Sequence, residues 1–329
     1  MPVIAMTREI GSLGSDVAAG LANRLGLKII HSEIVVSNIA ERLGVQESAL
    51  LRYVDGSASI LERWLINRKK LSRYTSEEIL GLAQQGNVLI RGWGAATLLR
   101  DMPQVISVRV CAPMGFRVQV MMERLGVRDA DAVREEIERY DAAHLRTMRA
   151  SFDVEREDAL LYHIVLNTER LSVDSCVKAV CQLAEGPEFK DQATARSVLA
   201  NKLLEAKINS TLIEHIDLAT APTGISVSAA NGMVTLAGMT SSGGLRVRAE
   251  KLAQAIAGVS HIENRIVSIP SRGRTLGADF GNAVPAQNSR CPRKSGDFGV
   301  AVRPRVGVSA TNVVLHDFRR QRTEVPAST

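Results

Sequence analysis

Aromatic residues are scarce in this chain, where Phe, Trp and Tyr together make up 4% of 329 residues. Its four cysteines form no Cys-x-x-Cys pair and its six histidines are scattered, which argues against a metal site built from protein ligands. No uncharged apolar run approaches the ~20 residues that span a bilayer, and no basic segment followed by a long apolar stretch opens the chain. We therefore expect a globular, cytoplasmic protein.

Excess positive charge is absent from most of the sequence. The formal net charge of +6 arises after residue 270, where nine arginines and one lysine oppose three aspartates and one glutamate. The balanced charge before that point gives no support for binding a specific nucleic acid. Four prolines and many glycines interrupt residues 271–329, and we expect this basic tail to be disordered because it buries too little apolar surface.

Five apolar runs of strand length alternate with helical patterns in the first part of the chain. The runs cover residues 3–6, 27–30, 88–90, 105–111 and 161–166. This alternation predicts an α/β domain with a parallel sheet flanked by helices, which we place at residues 1–184. The helix-rich interval 44–86 is typical of an inserted substrate-binding region. Gly and Pro in residues 185–191 indicate a linker.

Residues 192–270 follow a different pattern, with the order helix, strand, strand, helix, strand. We predict helices at 197–207 and 245–257, a hairpin turn at Asn231-Gly232 and a last strand at 262–269. This small α+β unit (αββαβ) is expected to fold without the first domain. Its predicted core consists of Leu203, Ile225, Val227, Val234, Leu236, Leu252, Ile256 and Ile266.

A glycine-containing turn follows the first predicted strand and precedes an amphipathic helix that carries Val17, Leu21 and Leu25 on one face. A strand, a glycine turn and a helix present backbone N–H groups and a helix N-terminus to a phosphate. The Lys followed by Ser or Thr that usually anchors such a loop is missing. The candidate phosphate-binding residues are Gly11, Ser12, Leu13, Gly14, Ser15 and Asp16. The alternative is an ordinary strand-to-helix turn capped by Ser12 or Ser15.

Several motifs in sequence order resemble the cytidylate kinase-like family of P-loop nucleoside monophosphate kinases, over about residues 1–184. They are Thr7-Arg8-Glu9-Ile10-Gly11-Ser12-Leu13-Gly14, Leu27-Lys28-Ile29-Ile30, Asn87-Val88-Leu89-Ile90-Arg91-Gly92, Cys111-Ala112-Pro113 with Arg117, Asp141, and Leu166-Asn167-Thr168. The resemblance implies transfer of the γ-phosphoryl group of ATP, with Mg²⁺ bound to the nucleotide, to a pyrimidine nucleoside monophosphate. It also implies that Arg8, Arg146 and Arg149 are catalytic and that Arg91, Arg117 and Asp141 bind the substrate.

The chain departs from the family pattern at several of these positions. A basic residue tends to stand where this chain has Ser15, and the charge-assisted contact it would make is lost. His31, His144 and His163 stand where the family tends to have Asp, Arg and Asp, and Arg91-Gly92 replaces Gly-Arg. We therefore expect any kinase activity to be slow. The alternative is a degenerate kinase that binds or senses nucleotide without turnover.

The second unit resembles a BON domain in two stretches. They are Asn231-Gly232-Met233-Val234-Thr235-Leu236-Ala237-Gly238 and Gly258-Val259-Ser260-His261-Ile262-Glu263-Asn264. The resemblance implies a docking module that contacts a protein or a membrane surface. A purely structural or membrane-peripheral adaptor is therefore a third alternative for the whole chain.

Overall fold

The first domain is built on one sheet. The structure is a computed structural model that describes residues 2–54, 58–152, 158–190, 193–216, 224–240 and 242–269. Within these ranges five parallel strands are ordered β2-β3-β1-β4-β5. They are β1 (Val3–Arg8), β2 (Lys28–Ile30), β3 (Val88–Arg91), β4 (Val105–Cys111) and β5 (Ile164–Asn167). The predicted parallel sheet is confirmed, although β5 begins later than expected because residues 159–161 form a 3₁₀ turn.

Helices cover both faces of this sheet. They are α1 (Gly14–Leu25), α2 (Ser32–Leu43), α3 (Glu47–Val54), α4 (Ile60–Leu65), α5 (Arg68–Gln85), α6 (Ala95–Leu98), α7 (Met114–Leu125), α8 (Ala130–Phe152) and α9 (Val173–Ala184). Alternate residues of β1 enter two different cores: Ile4 and Met6 pack with α1 and α9, whereas Val3 and Ala5 pack with α2, α3 and α5. Burial on both faces explains why the strands read as continuous apolar runs.

The second unit contains a three-stranded sheet and two helices. They are α10 (Ala193–His215), β6 (Ile225–Ala230), β7 (Met233–Thr240), α11 (Gly243–Gln254) and β8 (His261–Ser268). Strand β7 pairs antiparallel with β6 and parallel with β8. Asn231 and Gly232 have φ values of +51° and +83° at the hairpin, as a two-residue turn of this kind requires. The predicted αββαβ order is confirmed.

Helix α10 is longer than predicted, and it belongs to two cores at once. The prediction covered 197–207, whereas the helix extends over Ala193–His215. The side chains packed with the first domain are Leu199, Leu203, Ala206 and Ile213. Those packed on the second unit's own sheet are Leu204, Ile208 and Leu212. The prediction that Leu203 belongs to the core of the second unit is therefore wrong. Helix α10 has two apolar faces, and the spacing of apolar residues along the sequence does not show that each face packs against a different core. Independent folding of the second unit stays a prediction.

Polar contacts reinforce the packing of α10 along α5. The Arg42 guanidinium lies 2.7 Å from a carboxylate oxygen of Glu77 on α5 and 2.7 Å from one of Glu214 on α10. It also lies 4.1 Å from the ring centroid of Tyr74. Burial raises the pKa of the Tyr74 hydroxyl to about 12. In addition, the Ser210 hydroxyl donates to a backbone carbonyl of α5 at 3.3 Å. The two units are thus joined by apolar and charged contacts.

Every helix within the described ranges is too short or too polar to cross a membrane. The expectation of a disordered tail falls on residues 271–329, which lie outside the described residues.

Leu203→Ala tests the coupling of the two units through α10. Leu203 is buried in the core of the first domain, so we expect the free energy of unfolding of the full chain to fall by ~2–5 kcal/mol. Val198 lies on the same helix and is 36% exposed, so Val198→Ala should change it by less than ~0.5 kcal/mol. Urea unfolding followed by circular dichroism measures both. Equal effects would contradict the packing of α10 on the first domain.

Candidate phosphate-binding site

The carboxyl ends of the parallel strands meet at one edge of the sheet, which is where ligands bind in open α/β folds. The turn formed by residues 9–13 leaves the end of β1 there and leads into α1. The first N–H groups of a helix have no intrahelical acceptor. Helix α1 begins at Gly14 beside this edge, so its first N–H groups are candidates for binding an anion.

The turn has its shape because two glycines allow close contacts. Gly11 has a φ of +77°, and a Cβ atom there would lie 2.5 Å from the backbone carbonyl oxygen of Arg117. A Cβ atom on Gly14 would lie 2.6 Å from Cβ of Arg8. Leu13 has a φ of +55° and precedes the helix in the left-handed region. Positive φ values in non-glycine residues are costly and concentrate at functional sites.

The Ser12 side chain stabilises the turn from the protein interior. It is fully buried, and its hydroxyl donates to the backbone carbonyl of Glu9 at 2.8 Å. The Thr168 hydroxyl, just after β5, donates to the carbonyl oxygen of Ser12 at 2.7 Å. The Ser12 backbone N–H also donates to the carbonyl oxygen of Glu9, at 3.3 Å. Whether Ser12 contacts a phosphate stays a prediction.

A buried ion network lies beneath the turn. The Glu9 carboxylate is 2.7 Å from the Arg109 guanidinium and 3.7 Å from that of Arg117. Arg117 also donates through Nε to the carbonyl oxygen of Ile10 at 2.7 Å and pairs with Asp141 of α8 at 2.8 Å. Arg117 is 4% exposed. Arg117 and Asp141, both predicted to bind substrate, therefore bind each other and tie α7 and α8 to the turn.

Two cations face the turn from neighbouring strand ends. The stem of Arg8 lies against Gly14, and its side chain lines a cavity above the sheet edge. Arg91, the last residue of β3, points one guanidinium nitrogen at the Ser15 hydroxyl (3.5 Å) and another at Nδ1 of His31 (3.2 Å). Both arginines are the last residues of strands that are paired in the sheet, which is why they converge.

The cavity beside these cations has an apolar wall and an aromatic wall. Its lining residues are Thr7, Arg8, Ile10, Leu51, Val54, Arg91, Gly92, Trp93, Tyr140 and His144. Its volume is about 80 Å³, far below the ~300 Å³ at which ligand pockets begin. The Thr147 hydroxyl of α8 donates to the carbonyl oxygen of Val54 at the end of α3 (3.1 Å). This hydrogen bond joins α8 to the end of α3 beside the cavity.

Trp93 is a cavity residue that the sequence analysis missed. It stands between Gly92 and Gly94, and all three residues have positive φ values, of +80°, +53° and +69°. A tryptophan in this region is strained, so the surrounding contacts must hold it there. A tryptophan flanked by two glycines in a chain poor in aromatics was the available signal.

The structure does not bring the other predicted residues into the cavity. Arg146 and Arg149 are exposed on α8. Asp16 lies in the first turn of α1, pairs with Arg124 and keeps 46% of its side chain exposed. Whether these residues contact a substrate stays a prediction.

The three histidines that depart from the family pattern have separate environments. His31 lies at the start of α2 beside the turn. His144 lines the cavity, and its ring is stacked with that of Tyr140 at a centroid distance of 6.2 Å. His163 accepts through Nδ1 from the backbone N–H of Ser107 at 3.0 Å, and burial lowers its pKa. His163 therefore has a structural contact between β4 and the residues before β5.

The family model of the cytidylate kinase-like family matches residues 3–170, about half of the chain. The chain belongs to the cytidylate kinase-like family. A BON domain model matches residues 201–270, so the cytidylate kinase-like domain is followed by a BON domain. The predicted resemblance is confirmed for both units.

Curated relatives of this cytidylate kinase-like chain align with its first domain. The cytidylate kinase of Pyrobaculum aerophilum is 25% identical over 182 residues, which are 54% of this chain and 90% of that protein. The cytidylate kinase of Ignicoccus hospitalis is 25% identical over 185 residues, 55% of this chain and 97% of that protein. A solved structure of an uncharacterized protein from Eubacterium ventriosum aligns with 56% of this chain and 98% of its own, at 19% identity and a TM-score of 0.45.

Arg117→Met tests whether the buried ion network holds the turn. The change removes the ion pairs of Arg117 with Glu9 and Asp141 and its hydrogen bond to Ile10, so we expect the free energy of unfolding to fall by ~3 kcal/mol or more. Arg139 is exposed and pairs with Glu136 within α8, and Arg139→Met should cost less than ~0.5 kcal/mol. Urea unfolding measures the free energy of unfolding of both variants. If Arg117→Met lowers it no more than Arg139→Met does, the turn is held by other contacts.

Proposed function

We propose that the first domain transfers the γ-phosphoryl group of ATP to a pyrimidine nucleoside monophosphate in the cytoplasm. The observation that carries the proposal is a glycine turn anchored by buried ion pairs and open to a cavity lined by Arg8 and Arg91. Membership of the cytidylate kinase-like family and curated relatives named cytidylate kinase support the substrate class.

The ATP phosphates would bind to Arg8 and to the backbone amides of Gly14 and Ser15 at the start of α1. The N–H groups of Ser12 and Asp16 already donate to the carbonyl oxygens of Glu9 and Leu13. Within the described part of the chain, no group of three His, Cys, Asp or Glu side chains is placed to hold a metal ion. Mg²⁺ commonly keeps its waters and binds phosphate oxygens with one or two carboxylates. The exposed Asp16 carboxylate fits that requirement, and Mg²⁺ arriving with ATP would neutralise phosphate charge.

The transfer itself needs positioning and charge neutralisation more than covalent protein chemistry. A phosphate oxygen of the acceptor attacks the γ-phosphorus of ATP, the bond between that phosphorus and the β,γ-bridging oxygen breaks, and ADP leaves with the bonding electrons. Arg8 would stabilise the negative charge that develops on the transferring group. Arg146 and Arg149 lie on α8 and would add to it when α8 moves over bound nucleotide.

The acceptor base would lie against the aromatic wall of the cavity. Trp93 lines the cavity together with Leu51 and Val54. Planar bases stack on aromatic side chains with ~1–3 kcal/mol per base. The strained backbone of Trp93 is explained if this ring position serves the acceptor.

A second candidate function is nucleotide binding without turnover. Two observations favour it: Ser15, in the first turn of α1, carries no charge, and His144 lines the cavity where the family tends to have Arg. In that case nucleotide occupancy would be communicated through the BON domain, which we propose docks on a protein or a membrane surface. The substrate assay separates the two functions.

Coupled measurement of ADP release tests the enzyme proposal across CMP, UMP, AMP and GMP with Mg²⁺ and ATP. We expect CMP or UMP to stimulate release. Arg8→Ala should lower the rate by ~10²–10³, whereas Arg24→Ala, an exposed change at the far end of α1, should not lower it. Nucleotide binding without ADP release would select the second function, and absence of both would refute the proposal.

Tryptophan fluorescence tests the acceptor position independently of turnover. The chain has two tryptophans, and Trp64 is 86% exposed. In the Trp64→Phe variant, emission from Trp93 should be quenched saturably by CMP, because a base stacked on the ring alters its environment. The matched control is Trp93→Phe, in which Trp64 should not respond. A response carried by Trp64 alone would exclude base stacking on Trp93.

A further inference from the structure

The hydroxyl of Ser15 faces a cation that comes from another strand. Arg91 is paired with Met6 in the sheet, so its side chain leaves the sheet edge beside the glycine turn. Its NH1 atom lies 3.5 Å from the Ser15 hydroxyl oxygen. Residue 15, where the family tends to have a basic residue, is therefore reached by the guanidinium of Arg91 from the neighbouring strand.

We propose that Arg91 neutralises the ATP phosphates at the glycine turn, in place of a cation at residue 15. This inference rests on the proposed function and gives Arg91 a different partner from the acceptor nucleotide. Because a guanidinium stays charged and presents several donors in a plane, it can contact a phosphate from β3 while keeping its contact with Ser15.

The charge distribution around the turn supports this assignment. The carboxylate of Asp16 is adjacent to Ser15 and would repel an anion, but it is paired with Arg124. Arg8 lies against Gly14 on the turn itself. Arg91 therefore brings a second positive charge to the phosphate side of the site.

Ser15 and Arg91 are also complementary in size and charge. A lysine at residue 15 would bring an ammonium to the side of the site that the Arg91 guanidinium occupies, and like charges close together repel. A small neutral residue at 15 leaves room for Arg91. The two departures from the family pattern, a serine at 15 and an arginine one position early, compensate each other.

His31 acts as a positioning residue for Arg91. Its Nδ1 atom lies 3.2 Å from NH2 of Arg91, and a guanidinium nitrogen donates only, so Nδ1 is the acceptor and carries no proton. This hydrogen bond holds one nitrogen of the guanidinium at the start of α2, while the other reaches the turn.

The test is isothermal titration calorimetry of the full chain with Mg·ATP, inorganic tripolyphosphate and CMP as separate probes. Arg91→Gln removes the charge and keeps a polar side chain, whereas Arg91→Met removes both the charge and the polar group. We expect each change to weaken ATP and tripolyphosphate binding by about tenfold or more and to leave CMP binding unchanged. Arg100→Met, an exposed change outside the cavity, is the control and should leave all three affinities unchanged.

Relocating the charge provides the decisive comparison. Ser15→Lys alone should not strengthen ATP binding, because its ammonium would be repelled by Arg91. The double variant Ser15→Lys with Arg91→Met should bind ATP within about threefold of the unmodified chain, because one cation replaces the other. Thermal unfolding of every variant confirms that the fold is intact, and Arg91→Gln serves if Arg91→Met does not fold.

Each outcome decides the proposal. Unchanged affinities for tripolyphosphate and ATP in Arg91→Gln would overturn it. A loss of affinity for CMP alone would also overturn it, because Arg91 would then bind the acceptor nucleotide. An equal gain from Ser15→Lys with and without Arg91 would also overturn it. Arg91-dependent binding of tripolyphosphate without binding of ATP would support the anion site and refute the kinase function. No binding of either probe by the unmodified chain would refute both.

Discussion

The buried carboxylate of Glu9 is the constraint on which the site depends. It lies at the end of the central strand and has guanidinium partners from β4 and α7, Arg109 and Arg117. A buried charge without partners is strongly unfavourable, so these elements must meet at one point for the domain to fold. Because Arg117 also holds the turn through Ile10 and α8 through Asp141, the shape of the turn is set by the protein interior before any ligand binds. This is the preorganisation that electrostatic catalysis requires.

The site illustrates how a family geometry accommodates lost motif residues. Charge at a phosphate site can come from any element that reaches it, and β3 lies next to β1 in the sheet. The same loop after β3 carries Trp93 in a left-handed conformation. Residues 91–93 therefore supply two groups to the site. The Arg91 guanidinium reaches Ser15 beside the turn, and Trp93 lines the cavity with residues of α3 and α8.

Much of the fold was predictable because its signals are local. Strands buried on both faces give continuous apolar runs, and Gly11 marks a backbone that approaches Arg117 too closely for a side chain. The remaining features depend on pairings distant in sequence. The spacing of residues in the sequence does not show that Arg91 contacts Ser15, or that Arg117 and Asp141 form an ion pair. The second apolar stripe of α10 was missed for the same reason, since only the position of α5 gives that stripe a partner.

The shared helix α10 has a practical consequence for dividing the protein. A chain cut after residue 184 would keep α5 but lose the side chains that cover it, and Arg42 would keep Glu77 but lose Glu214. The uncovered strip would include Tyr74, which is buried in the intact chain. Exposed apolar strips of this kind drive self-association. If the first domain is insoluble or inactive when it is produced without α10, the loss of the α10 contacts explains that result, and nothing follows from it about the phosphate-binding site.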